Sequence, residues 1–151
     1  MLKMIELLYP LNSLEPHYSK ETLDLHYNVL YKGYVDNTNK TEESLKRARE
    51  TRDFSNIKCL EKNLSFFGSG VILHELFFEN MGPAIPTSPN ASLMDQIIRD
   101  FGSFENFKAQ FEAAAASVEA SRVVFVSMGC KMEQTWNTSM WKTPRFNIIG
   151  M

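Results

Sequence analysis

Cysteine is scarce in this chain: its 151 residues hold two, Cys59 and Cys130. Both stand alone, without the paired spacing of a zinc site or the density of a disulfide framework, and a reducing compartment fits them best. Long apolar runs are missing as well. No stretch approaches the roughly 20 residues that span a bilayer. The first ten residues carry Glu6 and no small-residue cleavage site, so they do not read as a secretion signal. A cytoplasmic protein without a membrane partner is therefore the expectation. Excess charge is absent too, since 16 Lys and Arg against 18 Asp and Glu leave a net charge of -2. That balance offers no general attraction to nucleic acid. The short basic run Lys46, Arg47, Arg49 and Arg52 is interleaved with Glu42, Glu43, Glu50 and Asp53 and reads as a solvated helix face. Histidine is the last scarcity: there are three, none after His74, and no aspartate follows Asp100.

What is present is ample for a core, with 44% hydrophobic and 12% aromatic residues. Leu23, His26, Tyr27, Leu30, Tyr31 and Tyr34 recur at helical spacing, so one face of a helix carries a histidine among apolar and phenolic groups. A neutral imidazole on such a face requires a hydrogen-bond partner or a metal. Leu64, Phe67, Val71, His74 and Phe78 follow a 3-4-3-4 spacing, the seam of a second helix packed on another. Lying antiparallel, the two helices would bring both imidazoles to one point. Gly68 and Gly70 each cost about 1 kcal/mol in a helix interior. Either something packs close to the backbone there or the helix breaks.

Ser19 is a good N-cap for the first helix, with Glu21 in its first turn, and the helix is expected to run to about Asn37. Thr38 to Asn56 is either an exposed helix or a long helical connection. The second packed helix is expected over Cys59 to Asn80. Gly82 to Asn90 holds three prolines and reads as a linker. Ser92 to Phe101 and Ser103 to about Val118 read as two more helices, each opened by a serine cap and separated by Gly102. Val123 to Val126 has strand character. Lys131 to Trp136 is a candidate second strand, and Phe146 to Ile149 a short apolar end. The pattern predicts a mainly α, α+β chain: a helical hairpin domain over 1–82, then a domain over 83–151 of helices and an incomplete small antiparallel sheet.

These residues carry a resemblance. Leu14-Glu-Pro-His17, with Glu21 to His26 and Gly33-Tyr34-Val-Asp-Asn, resembles the N-terminal helix of the iron/manganese superoxide dismutases. Gly68-Ser-Gly followed by His74-Glu-Leu-Phe-Phe-Glu-Asn80 resembles that family's second helix, and Arg99 to Lys108 with Phe111 and Ala113 to Ala116 its third segment. The resemblance covers about residues 10 to 121. It implies conversion of superoxide to oxygen and hydrogen peroxide at a manganese or iron ion held by three histidines and one aspartate, in a homodimer. His26 and His74 match the first two metal ligands, and Tyr34 matches the gateway tyrosine that shapes access and relays protons. His17 matches a family position that is not a ligand and is expected to be a buried or rim histidine making a hydrogen bond.

The remaining two family ligands lie in an Asp-x-Trp-Glu-His motif, which these residues do not contain. Other departures from the family pattern are Leu30 for a histidine, Phe78 for a tryptophan, Arg122 near another tryptophan position, and Gly70 at one of two glutamine positions, with Gln134 as the sheet-side candidate for the other. The loss of resemblance after about Ser121 suggests a shortened or altered C-terminal end, or a divergent tail. Self-association through an open strand edge near residues 123 to 136 follows from an incomplete sheet. Three functional expectations result: a superoxide dismutase impaired by the missing ligands, a non-catalytic interaction or structural protein of the same fold, or a degenerate product with no selected activity.

Overall fold

Ser19 opens the first helix as its spacing requires: its hydroxyl accepts from the Thr22 N–H at 3.2 Å. The computed structural model describes residues 1–83, 88–118, 124–129 and 145–150. It divides into two units, Met1–Pro86 and Thr87–Met151. In the first, α1 (Lys20–Asp24), a π-helical stretch (Leu25–Tyr31) and α2 (Lys32–Thr51) follow one another without interruption. The Lys32 N–H reaches back five residues to the Tyr27 carbonyl, the mark of the wider turn.

That wider turn corrects the expected apolar face. Leu23 and Tyr31 are fully buried and Tyr27 half-buried, four residues apart, whereas Leu30 is 55% exposed. A stretch that takes up an extra residue per turn keeps i+4 on the face and rotates i+7 away from it.

The first helix also runs well past Asn37, to Thr51. The buried stripe continues as Val35, Thr38, Thr41, Leu45 and Ala48. Two of its members are polar by composition, but the Thr38 hydroxyl donates to the Tyr34 carbonyl and Thr41 to Asn37, each at 2.8 Å. With their hydroxyls satisfied inside the helix, both bury their methyl sides. Arg52, in the left-handed conformation at φ 55°, ends the helix.

After a short turn, α3 (Ile57–Glu79) returns along α2. His26 meets His74 and Phe78, while Tyr34 meets Phe66 and Phe67, so position numbers rise on one helix as they fall on the other. The pair is an antiparallel hairpin. Its core joins Leu23, Tyr31, Val35, Val71 and Phe78 with Tyr9 from the N-terminal segment. Fully burying each such side chain contributes about 1.5–3 kcal/mol.

In the second unit, α4 (Ala91–Phe101) is capped by Asn90, whose side chain accepts from the Leu93 N–H at 2.9 Å. The cap expected at Ser92 is thus two residues earlier. Asn and Ser are equivalent caps, and Pro89 before Asn90 leaves the chain extended up to that point. Ser103 caps α5 (Phe104–Ala116) as expected, accepting from the Asn106 N–H at 3.1 Å. Gly102, at φ 84°, makes the sharp break between them. Phe107 bridges Phe101 and Phe111 across the corner. β1 (Val124–Gly129) and β2 (Arg145–Gly150) pair antiparallel, Val124 opposite Gly150 and Gly129 opposite Arg145. The apolar end at Phe146 to Ile149 is therefore a strand. The candidate strand Lys131 to Trp136, Gln134, Cys130, Arg122 and the centre of the proline linker lie outside the described residues. Among the described residues, no helix is long and apolar enough to cross a membrane.

Candidate metal centre

The hairpin brings together the histidines that its two apolar faces carry. The His26 and His74 rings lie 5.0 Å apart, centroid to centroid, edge to face at 84°. Both are half-buried. His26 sits in the π-helical stretch, where the wider turn presents its ring toward α3 alongside Phe77 and Phe78, at 5.0 and 5.2 Å. His74 sits one turn beyond Gly70 on α3.

Each imidazole is held through Nδ1. His74 Nδ1 lies 2.6 Å from the Gly70 carbonyl oxygen. A carbonyl only accepts, so Nδ1 carries the hydrogen, which in the neutral ring leaves the lone pair on Nε2. His26 Nδ1 lies 2.9 Å from the Tyr18 hydroxyl. A phenol accepts as well as donates, so the same tautomer is available to His26, with Nε2 again bare. Burial, then the neighbouring His74, lowers the His26 pKa below 6.5 and favours the neutral ring that a cation needs.

Tyr34 completes the cluster. Its ring lies 4.9 Å from His74 and packs on Phe66 and Phe67. Gly70 makes room for it: a Cβ there would stand 3.0 Å from Tyr34 Cγ and closer still to Cδ1 and Cε1. Of the two readings of the glycines, close packing holds for Gly70, while Gly68 has nothing within 4 Å of a Cβ and neither breaks the helix. Phe78 stands at the point of contact, touching His26, Tyr27, Tyr31 and His74.

Two imidazoles that can each present Nε2 fit a first-row metal ion as two of its ligands. Among the described residues, no group of three or more His, Cys, Asp or Glu completes a set. His17, expected at the rim with a hydrogen bond, is exposed, and the bond to the site comes from its neighbour Tyr18. Sequence reasoning missed Tyr18, and it placed Tyr31 on the histidine face without foreseeing that it stacks on His74, at 5.8 Å and 14°. Burial, together with the Glu75 carboxylate to which it donates, pushes the Tyr31 phenol up to about 12 against the Ile5 N–H that donates to it.

Comparison with known proteins bears on the same residues. Residues 2–82 match the α-hairpin domain of the iron/manganese superoxide dismutases, and residues 89–145 match their C-terminal domain, beyond the point where motif resemblance fades. The chain is 42% identical over 109 residues to a manganese superoxide dismutase of Halobacterium salinarum, covering 72% of this chain and 54% of the relative. It is 43% identical over 118 residues to an iron superoxide dismutase of Methanothermobacter thermautotrophicus, covering 77% and 58%. A superoxide dismutase of Propionibacterium freudenreichii subsp. shermanii, designated Mn/Fe, is 42% identical over 118 residues, covering 77% and 59%. The chain thus spans somewhat more than half the length of these curated relatives. With the helical hairpin, the paired histidines it assembles and two family domains matched in order, this chain belongs to the iron/manganese superoxide dismutase family.

Proposed function

We propose that this chain supplies the hairpin half of a superoxide dismutase centre, with His26 and His74 holding a manganese or iron ion through Nε2. The observation that carries the reading is the imidazole pair itself, 5.0 Å apart with both Nδ1 atoms engaged elsewhere. When bound, such an ion supplies one-electron exchange between two oxidation states, which suits oxidation of one superoxide to oxygen and reduction of another to hydrogen peroxide. The chain's own residues do the rest. Tyr18 and the Gly70 carbonyl orient the imidazoles, Phe77 and Phe78 exclude water from one side, and the Tyr34 phenol delivers or withholds a proton and narrows the approach.

These 151 residues hold no histidine beyond position 74 and no aspartate beyond position 100. We therefore propose that dismutation by these residues alone is weak or absent. The same shortage supports a second reading, a non-catalytic interaction or structural member of the fold. Exposed Leu25, Val29, Leu30, Phe66, Ile72 and Leu76 on the hairpin support self-association, as in a homodimer. The cysteine pattern and balanced charge support a cytoplasmic setting without nucleic-acid partners.

The test is dialysis of the chain, His74→Ala and His17→Ala against manganese(II) and, without oxygen, iron(II), followed by metal analysis and a superoxide-consumption assay. Metal in the parent and in His17→Ala but not in His74→Ala is expected, with slow or no turnover. Metal retained by His74→Ala would overturn the assignment.

A further inference from the structure

The first nine residues have no helix or sheet of their own, yet their backbone is held at defined points by side chains of the hairpin. The Asn39 amide accepts from the Leu2 N–H at 2.7 Å and donates to the Leu2 carbonyl at 3.0 Å. Ile5 is held the same way by two phenols. Its N–H donates to the Tyr31 hydroxyl at 3.1 Å, and its carbonyl accepts from the Tyr27 hydroxyl. Tyr9 donates to the Phe78 carbonyl at 3.0 Å, near the end of α3. In each of the first two cases a side chain or a pair of side chains supplies the donor and acceptor that a neighbouring strand would supply.

The Ile5 clasp differs from the others in what lies behind it. Tyr27 and Tyr31 are four residues apart in the π-helical stretch, with ring centroids 5.8 Å apart. Tyr31 is fully buried and lies nearly parallel to His74. Its hydroxyl is saturated, accepting from Ile5 and donating to Glu75 Oε1 at 3.0 Å. Tyr27 lies tilted against Tyr31 and edge-on to Phe78, and Phe78 touches both imidazoles. The ring plane against which His74 rests is therefore fixed at its hydroxyl end by a backbone amide 26 residues away.

We infer that Ile5 and the phenols of Tyr27 and Tyr31 form a positioning clamp that sets the plane of the His74 imidazole. Phenols so anchored hold the ring from the face, while the Gly70 carbonyl holds it from the edge, and together they leave one orientation for Nε2. This inference rests on the proposed metal role of His74 for its purpose, though not for its geometry.

The test is the side-chain NMR spectrum of the metal-free full chain, followed by manganese(II) affinity. Tyr27→Phe is decisive, because Tyr27 makes no ring contact with His74, so a direct ring-current change is not at issue. Tyr27→Phe and Tyr31→Phe should each replace the single set of His74 ring resonances with a broadened or doubled set. Asn39→Ala, which frees Leu2 but leaves the Ile5 clasp, should leave those resonances in place. Manganese(II) affinity should fall about tenfold or more in the two phenol variants, in line with the loss of outer partners of metal-ligating histidines. If Tyr31→Phe does not fold, the Tyr27→Phe spectrum decides. Unchanged His74 resonances in Tyr27→Phe, or equal changes in Asn39→Ala, would overturn the clamp. Changed resonances without any metal binding by the parent would leave the clamp standing and overturn the metal reading instead.

Discussion

Replacing Gly70 with alanine sets two effects of known sign against each other in one helix. Alanine is the better helix former by about 1 kcal/mol, so an open site gains stability from the exchange. Gly68 is such a site, with nothing within 4 Å of an added Cβ, and Gly68→Ala is expected to stabilise the hairpin by roughly 0.5–1 kcal/mol. At Gly70 the added methyl falls on the Tyr34 ring, 3.0 Å from Cγ and nearer to Cδ1 and Cε1. The ring is held between Phe66, Phe67 and His74, so it cannot yield as the tip of a flexible side chain would. Overpacking of this kind costs about 1–3 kcal/mol. Net of propensity, Gly70→Ala should destabilise by about 1 kcal/mol, some 2 kcal/mol below Gly68→Ala. Urea unfolding of the two variants with unchanged slopes measures the difference. The Tyr34 ring signals should shift in Gly70→Ala alone. If Gly70→Ala proves as stable as Gly68→Ala, Tyr34 does not occupy the space above Gly70 and the packing argument fails.

Stability should decline from pH 10 toward 12, because Tyr31 holds its proton to about 12 when folded against an ordinary value of 10.0. A raised phenol pKa contributes stability that is complete below 10 and lost as pH climbs through the folded value. Tyr31→Phe should flatten that decline in urea midpoints taken at successive pH values; an equally steep decline in the variant would remove Tyr31 as its source. Phe78, 1% exposed and in contact with both imidazoles, should cost about 3–5 kcal/mol as alanine. A loss below 1 kcal/mol would show that the hairpin core lies elsewhere. Tyr34→Phe should leave metal binding intact and change only proton delivery or access, read as an altered pH profile of any residual turnover; loss of metal would make Tyr34 part of the binding set.

The site was legible in the sequence where its residues repeat with a helical period. His26 and His74 stand out because each interrupts an apolar stripe, and the 3-4-3-4 spacing of α3 predicts the face that meets them. The end of the first helix was not legible, since Thr38 and Thr41 count as polar although their hydroxyls are spent on carbonyls one turn back. Nor was the exposure of Leu30, because nothing in Leu25 to Tyr31 announces a wider turn. Tyr18, Tyr27 and Tyr31 act through hydroxyls on groups 8 to 44 positions away, a reach with no period to detect. What such bonds do to the histidines is visible only once the backbone is in place.

The central claim is that His26 and His74 offer their Nε2 atoms to one cation. The nitrogen-15 spectrum of the three imidazoles during titration with zinc, a diamagnetic stand-in that imidazole also binds, tests it most directly. The account predicts that Nε2 of His26 and Nε2 of His74 move together at the same added metal, while both Nδ1 signals and exposed His17 keep their positions. Movement of His17 alone, or of His26 and His74 at Nδ1 instead of Nε2, would contradict it.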